Sequence, residues 1–307
     1  MKIAILGSGG AGGYFGARLA KAGHEVHFLA RGAHLAALQR SGIQINSING
    51  DFSLSEVHAT DKIEEIGPVD LMFMGVKSWQ LKGLAEQAKV LLKEDTSVIP
   101  LQNGVMAYEE LQEVYGGKHV LGGTCRIISK ITAPGHIHHF SVDPLIHFGE
   151  WDNKDSKRIH EIAEILRDAG IRANPCQDIQ VEIWKKFIII CTSALLAVGK
   201  ASYGQIMEQP ESRQLLREMI EEIHALALKM NIHIEEEYLD QSMEFMDSFA
   251  YDATASLARD IWEGKHSELE YQNGSVVRLA EKHGVAVPIN RFVYYALLPA
   301  ERKTRGL

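Results

Sequence analysis

The residues best placed to do chemistry begin at position 7. Gly7-Ser8-Gly9-Gly10-Ala11-Gly12 follows the apolar run Lys2–Leu6 directly and opens a helical pattern. A G-x-G-x-x-G spacing is weak evidence alone, but a strand before it and a helix after it are its proper context. Gly7 permits the tight turn, Gly9 lets backbone approach a pyrophosphate, and Gly12 allows close helix–strand packing. The free N–H groups of the helix start and its partial positive charge suit phosphate. The second apolar run, Glu25–Arg31, should carry an Asp or Glu at its end if the ligand had a free ribose 2′-hydroxyl. It ends instead in Phe28-Leu29-Ala30-Arg31. A guanidinium there can pair in a bidentate way with a 2′-phosphate, so the sequence favours NADPH/NADP+ over the NAD pair. Lys77 and Asn103 close two further apolar runs, where open α/β sheets bind their ligands. Asn103 could equally cap the following helix, and Lys77 could be a solvated helix start.

The elements that must position these residues alternate. Strands are expected at Lys2–Leu6, Glu25–Arg31, Leu71–Val76, Ser97–Leu101 and Val120–Thr124. Helices are expected near Ala11–Ala22, His34–Ser41, Trp79–Leu92 and Met106–Tyr115. This alternation implies βαβ units and a parallel sheet covered on both faces, a Rossmann-type dinucleotide-binding domain. Gly135–Phe140 and Leu145–Gly149 read as a hairpin turning at Ser141-Val142-Asp143-Pro144. A helix at Asp155–Asp168 and a strand at Ile171–Ala173 follow, and beyond Asp178 the periodicity is almost wholly helical. The fold class is therefore α/β with an all-α C-terminal domain. The boundary is placed after Asn174-Pro175, giving residues 1–176 to NADP binding and 177–307 to substrate and catalysis.

Composition narrows the function classes. The chain has 307 residues, 46% of them hydrophobic and 23% charged, with a formal net charge of −8. A polyanion needs a concentrated basic face, so nucleic acid is not an expected partner. The three cysteines, Cys125, Cys176 and Cys191, form no CxxC pair and read as thiols of a reducing compartment. The run Phe187–Val198 is too short to span a bilayer, and the first apolar run leads into a glycine loop rather than a cleavage site. These features predict a cytoplasmic protein without a membrane partner. Gly135-His136-Ile137-His138-His139 lacks a Cys, Asp or Glu cluster, so it reads as a hairpin face and no metal is expected. No nucleophile elbow is present, which removes the hydrolase signal.

Taken together, the glycine loop, Val76-Lys77-Ser78-Trp79-Gln80, Gln102-Asn103-Gly104, Glu182-Ile183-Trp184-Lys185-Lys186, His266 to Gly274 and His283-Gly284-Val285-Ala286-Val287-Pro288 resemble the ketopantoate reductases (2-dehydropantoate 2-reductases) over nearly the whole chain. The resemblance implies an NADPH-dependent oxidoreductase of pantothenate biosynthesis that reduces a 2-oxo acid, 2-dehydropantoate or a relative, to a 2-hydroxy acid. It places the catalytic lysine on Lys186, the active-site glutamate on Glu268, a carboxylate-binding serine on Ser256, and cleft-lining roles on Lys77 and Asn103. A homodimer is compatible with it.

Two local readings compete with these roles. Glu182 and Lys186 are spaced i,i+4 as a helix-surface ion pair. Ser267 and Glu270 have capping-box spacing, which would make Glu268 a first-turn acid. The sequence also departs from the family. Amides expected four and eight residues after Lys186 are Ile190 and Ala194, and two more fall near Tyr203 and Ala253 without an amide. Ser193, seven residues on, returns to nearly the same face and could replace part of that polarity toward the substrate. NADPH-dependent reduction of a 2-oxo acid is the leading expectation, with 2-dehydropantoate or a bulkier, less polar 2-oxo acid as the substrate. A non-catalytic NADPH-binding sensor, or another dehydrogenase on the same scaffold, are the alternatives.

Overall fold

A computed structural model describes residues 1–306. The chain divides into two compact units, Met1–Gln102 with Ala107–Ile179, and Asn103–Met106 with the residues from Gln180 onward. The short excursion Asn103–Met106 is what the single boundary near residue 176 does not anticipate.

In the first unit, β1 (Lys2–Leu6), β2 (Glu25–Leu29), β5 (His58–Thr60), β6 (Leu71–Met74) and β7 (Ser97–Pro100) form one parallel sheet in the order β5-β2-β1-β6-β7. Alternate residues of β1 serve two cores. Ile3 and Ile5 join Phe15, Phe28 and Phe73 on one face, and Ala4 and Leu6 join Met72, Met74 and Leu111 on the other. That explains the near-continuous apolar strands, since neither face meets water. α1 (Gly10–Lys21), α2 (Gly32–Ser41) and α5 (Lys157–Asp168) contribute to the first core, while α3 (Leu81–Gln87) and α4 (Ala107–Tyr115) cover the second.

A second sheet contains β3 (Ile43–Ser47), β4 (Phe52–Leu54), β8 (Gly122–Ala133), β9 (His136–Gly149) and β10 (Arg172–Pro175). β9 pairs antiparallel with β8 along one edge. Its other edge takes β3 in the first half and β10 in the second. Two expectations are corrected here. The turn falls at Pro134-Gly135, with Gly135 at φ +79°, and not at Ser141–Pro144, where β9 continues through a register irregularity with Val142 at φ +52°. Pro and Asp here suggest a turn from sequence, yet a bulge absorbs them within β9. Val120–Thr124 is not a fifth parallel strand: Val120 makes a single bridge to Val98, and the chain then enters β8. β3, β4 and β5 are short, mixed-polarity strands that periodicity did not mark.

The second unit is helical: α6 (Ile179–Cys191), α7 (Ser193–Gly199), α8 (Tyr203–Glu208), α9 (Pro210–Lys229), α10 (Glu237–Asp247), α11 (Ser256–Trp262), α12 (Asn273–His283) and α13 (Pro288–Thr304). α6 stops at Cys191 and α7 starts at Ser193, so the apolar run 187–198 is two helices joined at Thr192, whose hydroxyl donates to Ile189 O at 2.7 Å. Buried amides tie the bundle together. Asn273 Nδ2 donates to Cys191 O (3.1 Å) and Asn290 Oδ1 (3.0 Å), and Asn290 Nδ2 donates to Glu222 Oε2 (2.8 Å). Glu222 also accepts the Ile289 and Asn290 N–H groups, which the start of α13 would otherwise leave unsatisfied. Among the described residues no helix is long and apolar enough to cross a membrane.

Candidate active site

The first unit carries a cavity of about 440 Å³ at the carboxyl end of β1. Gly7, Ser8 and Gly9 line it, with Arg31 and His34 beside them and Trp79 and Gln80 further along the wall. The glycine loop is shaped by steric necessity. Gly7 has φ +111°, and a Cβ there would lie 2.6 Å from Val76 N; a Cβ on Gly12 would lie 2.2 Å from Gly7 O. At Gly9 a Cβ would meet nothing within 4 Å. The loop is thus packed tightly behind and open in front, the cradle a pyrophosphate needs at a helix start.

The predicted cofactor residues divide by position. Gly10, Ala11 and Gly12 start α1 behind the cavity, and Gly10 packs against β8, where a Cβ would fall 2.5 Å from Ser129 O. The Ser8 side chain turns away, its hydroxyl donating to Leu29 O at 3.0 Å, so only its backbone faces a ligand. Arg31 is exposed at the N-cap position of α2, and no carboxylate among the described residues pairs with it. The carboxylate of β2, Glu25, lies at the opposite end of that strand, bonded to His27 at 2.8 Å. These residues fit a nicotinamide dinucleotide, and one with a phosphate near Arg31. Lys77 and Asn103 are not among the cavity-lining residues. Lys77 Nζ lies 5.7 Å from the Trp79 ring centroid.

His34 escaped sequence reading because it looks like an ordinary helix-start residue. Its Nδ1 accepts from Gly135 N at 3.1 Å, linking α2 to the hairpin turn beside the loop. Burial holds its pKa below the usual histidine value, partly offset by the nearby Ser8 backbone.

The second unit gathers Asn103 and Glu268. Asn103 is not the cap of α4, which begins at Ala107. Its Nδ2 donates to Glu268 Oε2 at 2.9 Å. Gly104, at φ +101°, brings the same loop so close to Tyr271 O that a Cβ would lie 2.6 Å away. Glu268 is 5% exposed and precedes a short 3-10 turn, Leu269–Tyr271. The capping-box alternative is overturned. Ser267 Oγ donates to Glu301 at 2.6 Å, while Glu270 accepts from Arg278 (3.0 Å) and from Tyr294 (2.9 Å).

Lys186 is half-buried in α6 beside the fully buried Phe187 and Ile188. Its neighbour Lys185 points elsewhere, with Nζ 2.6 Å from Glu235 and 5.1 Å from the Tyr238 ring. Ile190 is half-buried and Ala194 fully buried. Ser193 is 1% exposed, and its hydroxyl lies 2.6 Å from Ile190 O and 3.2 Å from Gln272 Oε1, so its polarity is used inside the bundle. Ser256 is exposed as the first residue of α11.

Two family models account for most of the chain. Ketopantoate reductase PanE/ApbA matches residues 3–153, and Ketopantoate reductase PanE/ApbA C terminal matches residues 178–301. A 2-dehydropantoate 2-reductase of Aquifex aeolicus is 31% identical, over 95% of this chain and 94% of its own. An uncharacterized oxidoreductase of Bacillus subtilis, YkpB, is 28% identical over 96% and 97%. The crystal structure of a 2-dehydropantoate 2-reductase from Geobacter metallireducens superposes with a TM-score of 0.91 at 31% identity, covering 98% of this chain and 100% of that one. With a glycine cradle built for a dinucleotide and matches across both units, the chain belongs to the ketopantoate reductase family and is an oxidoreductase that works with a nicotinamide cofactor.

Proposed function

We propose that this protein uses NADPH to reduce a 2-oxo acid to the 2-hydroxy acid. The observation that carries the reading is the Asn103–Glu268 hydrogen bond, which joins two residues 165 positions apart that the family resemblance assigns to one site. Bound in the glycine cradle, NADPH would supply hydride chemistry to the substrate carbonyl. Lys186 polarises the carbonyl oxygen and protonates it as negative charge develops there, a general-acid role. Glu268 holds the substrate hydroxyl or the lysine in register. Asn103 and Ser256 bind the substrate's polar groups, and Lys77 contributes positive charge for the acid or the cofactor. The preference for NADPH rests on Arg31, exposed at the edge of the cavity and without a carboxylate partner among the described residues.

Within this class, 2-dehydropantoate is the first substrate to test, because the Aquifex aeolicus relative is a 2-dehydropantoate 2-reductase. Ile190 favours a second candidate, a 2-oxo acid with a more apolar side chain. A site that lacks the matching amide loses discrimination for a hydroxylated substrate. The deciding experiment is NADPH oxidation at 340 nm with ketopantoate, 2-oxoisovalerate, phenylglyoxylate and pyruvate. Turnover of none of them, with NADPH still bound, would favour the sensor reading and sink this one.

A further inference from the structure

Glu301 lies on the last turns of α13 and is 1% exposed, an unusual place for a carboxylate unless it is fully engaged. Both of its oxygens are engaged. Ser267 Oγ donates to Oε2 at 2.6 Å, and the Ser267 N–H lies 3.3 Å from each oxygen. Arg305, one turn on, reaches Oε1 at 2.8 Å, and His266 Nε2 lies 3.5 Å from the same atom. Ser267 Oγ in turn accepts Leu269 N–H at 3.2 Å. Ser267, before Glu268, is therefore clamped by one buried carboxylate paired with Arg305, and the Ser267 hydroxyl in turn holds the N–H of Leu269 on the other side. Beyond the clamp, Glu268 O accepts the Tyr271 and Gln272 N–H groups (3.0 and 2.9 Å). Little freedom is left to the Glu268 backbone.

We propose that Glu301 is a positioning residue for the reaction: through Ser267 it fixes the backbone that aims the Glu268 carboxylate at Asn103. The proposal rests on the reading of Glu268 as a site residue. A carboxylate that must act within a few tenths of an ångström needs its peptide held by buried, satisfied hydrogen bonds. A displacement of about 1 Å from a remote change can cost ~10²-fold in rate.

The test is a double-mutant cycle on the full chain with the best substrate of the panel above. Glu301→Ala should lower kcat by ~10- to 100-fold, with the NADPH Kd within about twofold of wild type. Glu301→Gln keeps one acceptor oxygen and should recover most of the rate. In a Glu268→Gln background, Glu301→Ala should cost little more, because the group being positioned is already gone. Ser267→Ala, which removes the relay and leaves Glu301 paired with Arg305, should reproduce a smaller loss if Glu301→Ala does not fold. Hydrogen exchange over residues 266–272 should accelerate in Glu301→Ala and Ser267→Ala, with α9 unchanged. If Glu268→Gln impairs turnover but Glu301→Ala and Ser267→Ala do not, Glu301 is only structural and the proposal fails. A full multiplicative loss in the double variant overturns it equally. If Glu268→Gln itself leaves turnover intact, the site reading falls and the proposal falls with it.

Discussion

Asn103 donates its side-chain N–H to Glu268 at 2.9 Å, and its neighbour Gly104 seats the same loop against Tyr271 O, where only a glycine fits. The pair is thus held by backbone contact as well as by the hydrogen bond. Asn103→Ala would take one donor from a carboxylate that is 5% exposed, at a cost of ~1–3 kcal/mol. Asn103→Asp would set two carboxylates face to face. Its stability should be the lower of the two variants at pH 8, and it should recover on acidification as one group takes a proton and the repulsion is relieved. Thermal unfolding at pH 8 and pH 5.5 measures this. Equal melting temperatures for the two variants at both pH values would contradict the pairing.

Arg31 makes the cofactor prediction. Its guanidinium sits at the start of α2 on the cavity edge without a carboxylate partner among the described residues. Charge-assisted bonds to a 2′-phosphate are worth ~1.5–3 kcal/mol. Arg31→Ala should therefore weaken NADPH by ~10- to 100-fold and leave NADH nearly unchanged. Titrating both cofactors by fluorescence checks it; equal wild-type affinities would refute the assignment.

How much was legible in the sequence follows from the range of the interactions. The glycine loop was readable because Gly7, Gly9 and Gly12 act within a few residues of each other. The parallel sheet was readable because both faces are buried, which writes itself as continuous apolar runs. β3, β4 and β5 were not: Ile43-Gln44-Ile45 and Phe52-Ser53-Leu54 alternate, but strands of three to five residues are too short for the alternation to stand out. The Val142 bulge read as a turn for the same local reason. At the site, a motif could propose Glu268 and Asn103 separately, but only tertiary structure shows that they touch. The same holds for His34 and Glu301, whose partners lie 101 and 34 residues away.

His34 predicts a pH effect. Its pKa is lowered chiefly by burial, so the neutral ring is favoured in the fold. The unfolded chain binds the proton more readily, and the contribution of His34 is full above the ordinary value of 6.5 and lost as pH falls below it. His34→Asn keeps an acceptor for Gly135 N–H but cannot titrate. Wild type should lose more stability than His34→Asn between pH 7 and pH 5. His24 shifts in the same direction, also chiefly through burial, and is common to both proteins. Parallel pH profiles for the two would rule out a titrating role.

The substrate prediction turns on Ile190, with the buried Ala194 as its contrast. Ile190 is half-buried in α6, so Ile190→Asn can place an amide without opening the core. Ala194 is 0% exposed, and an Asn there would force a larger polar group into packed helices, at ~1–3 kcal/mol. Ile190→Asn alone should raise kcat/KM for ketopantoate relative to 2-oxoisovalerate. Ala194→Asn should mainly lower the melting temperature. A wild-type kcat/KM for ketopantoate at or above ~10⁴ M⁻¹s⁻¹ would show that no shift in substrate has occurred.

Lys185 and Lys186 give the sharpest contrast. They are adjacent on α6 and lie about 100° apart around it. Lys185 is committed to Glu235 at 2.6 Å and to the Tyr238 ring, and its hydrogen bond holds the Glu235 carboxyl below its usual pKa. Lys185→Ala removes a partly exposed ion pair, worth at most ~1 kcal/mol, and should leave kcat nearly unchanged. Lys186→Ala should lower kcat by ~10²–10⁴-fold, the usual share of general acid catalysis. NADPH affinity should hold, because the glycine loop and Arg31 bind the phosphates. A small primary amine added to Lys186→Ala should restore part of the rate by filling the space the side chain leaves. Crippling loss in Lys185→Ala with little in Lys186→Ala would mean the catalytic position lies one residue earlier. Normal rates in both would mean that the proton comes from another group.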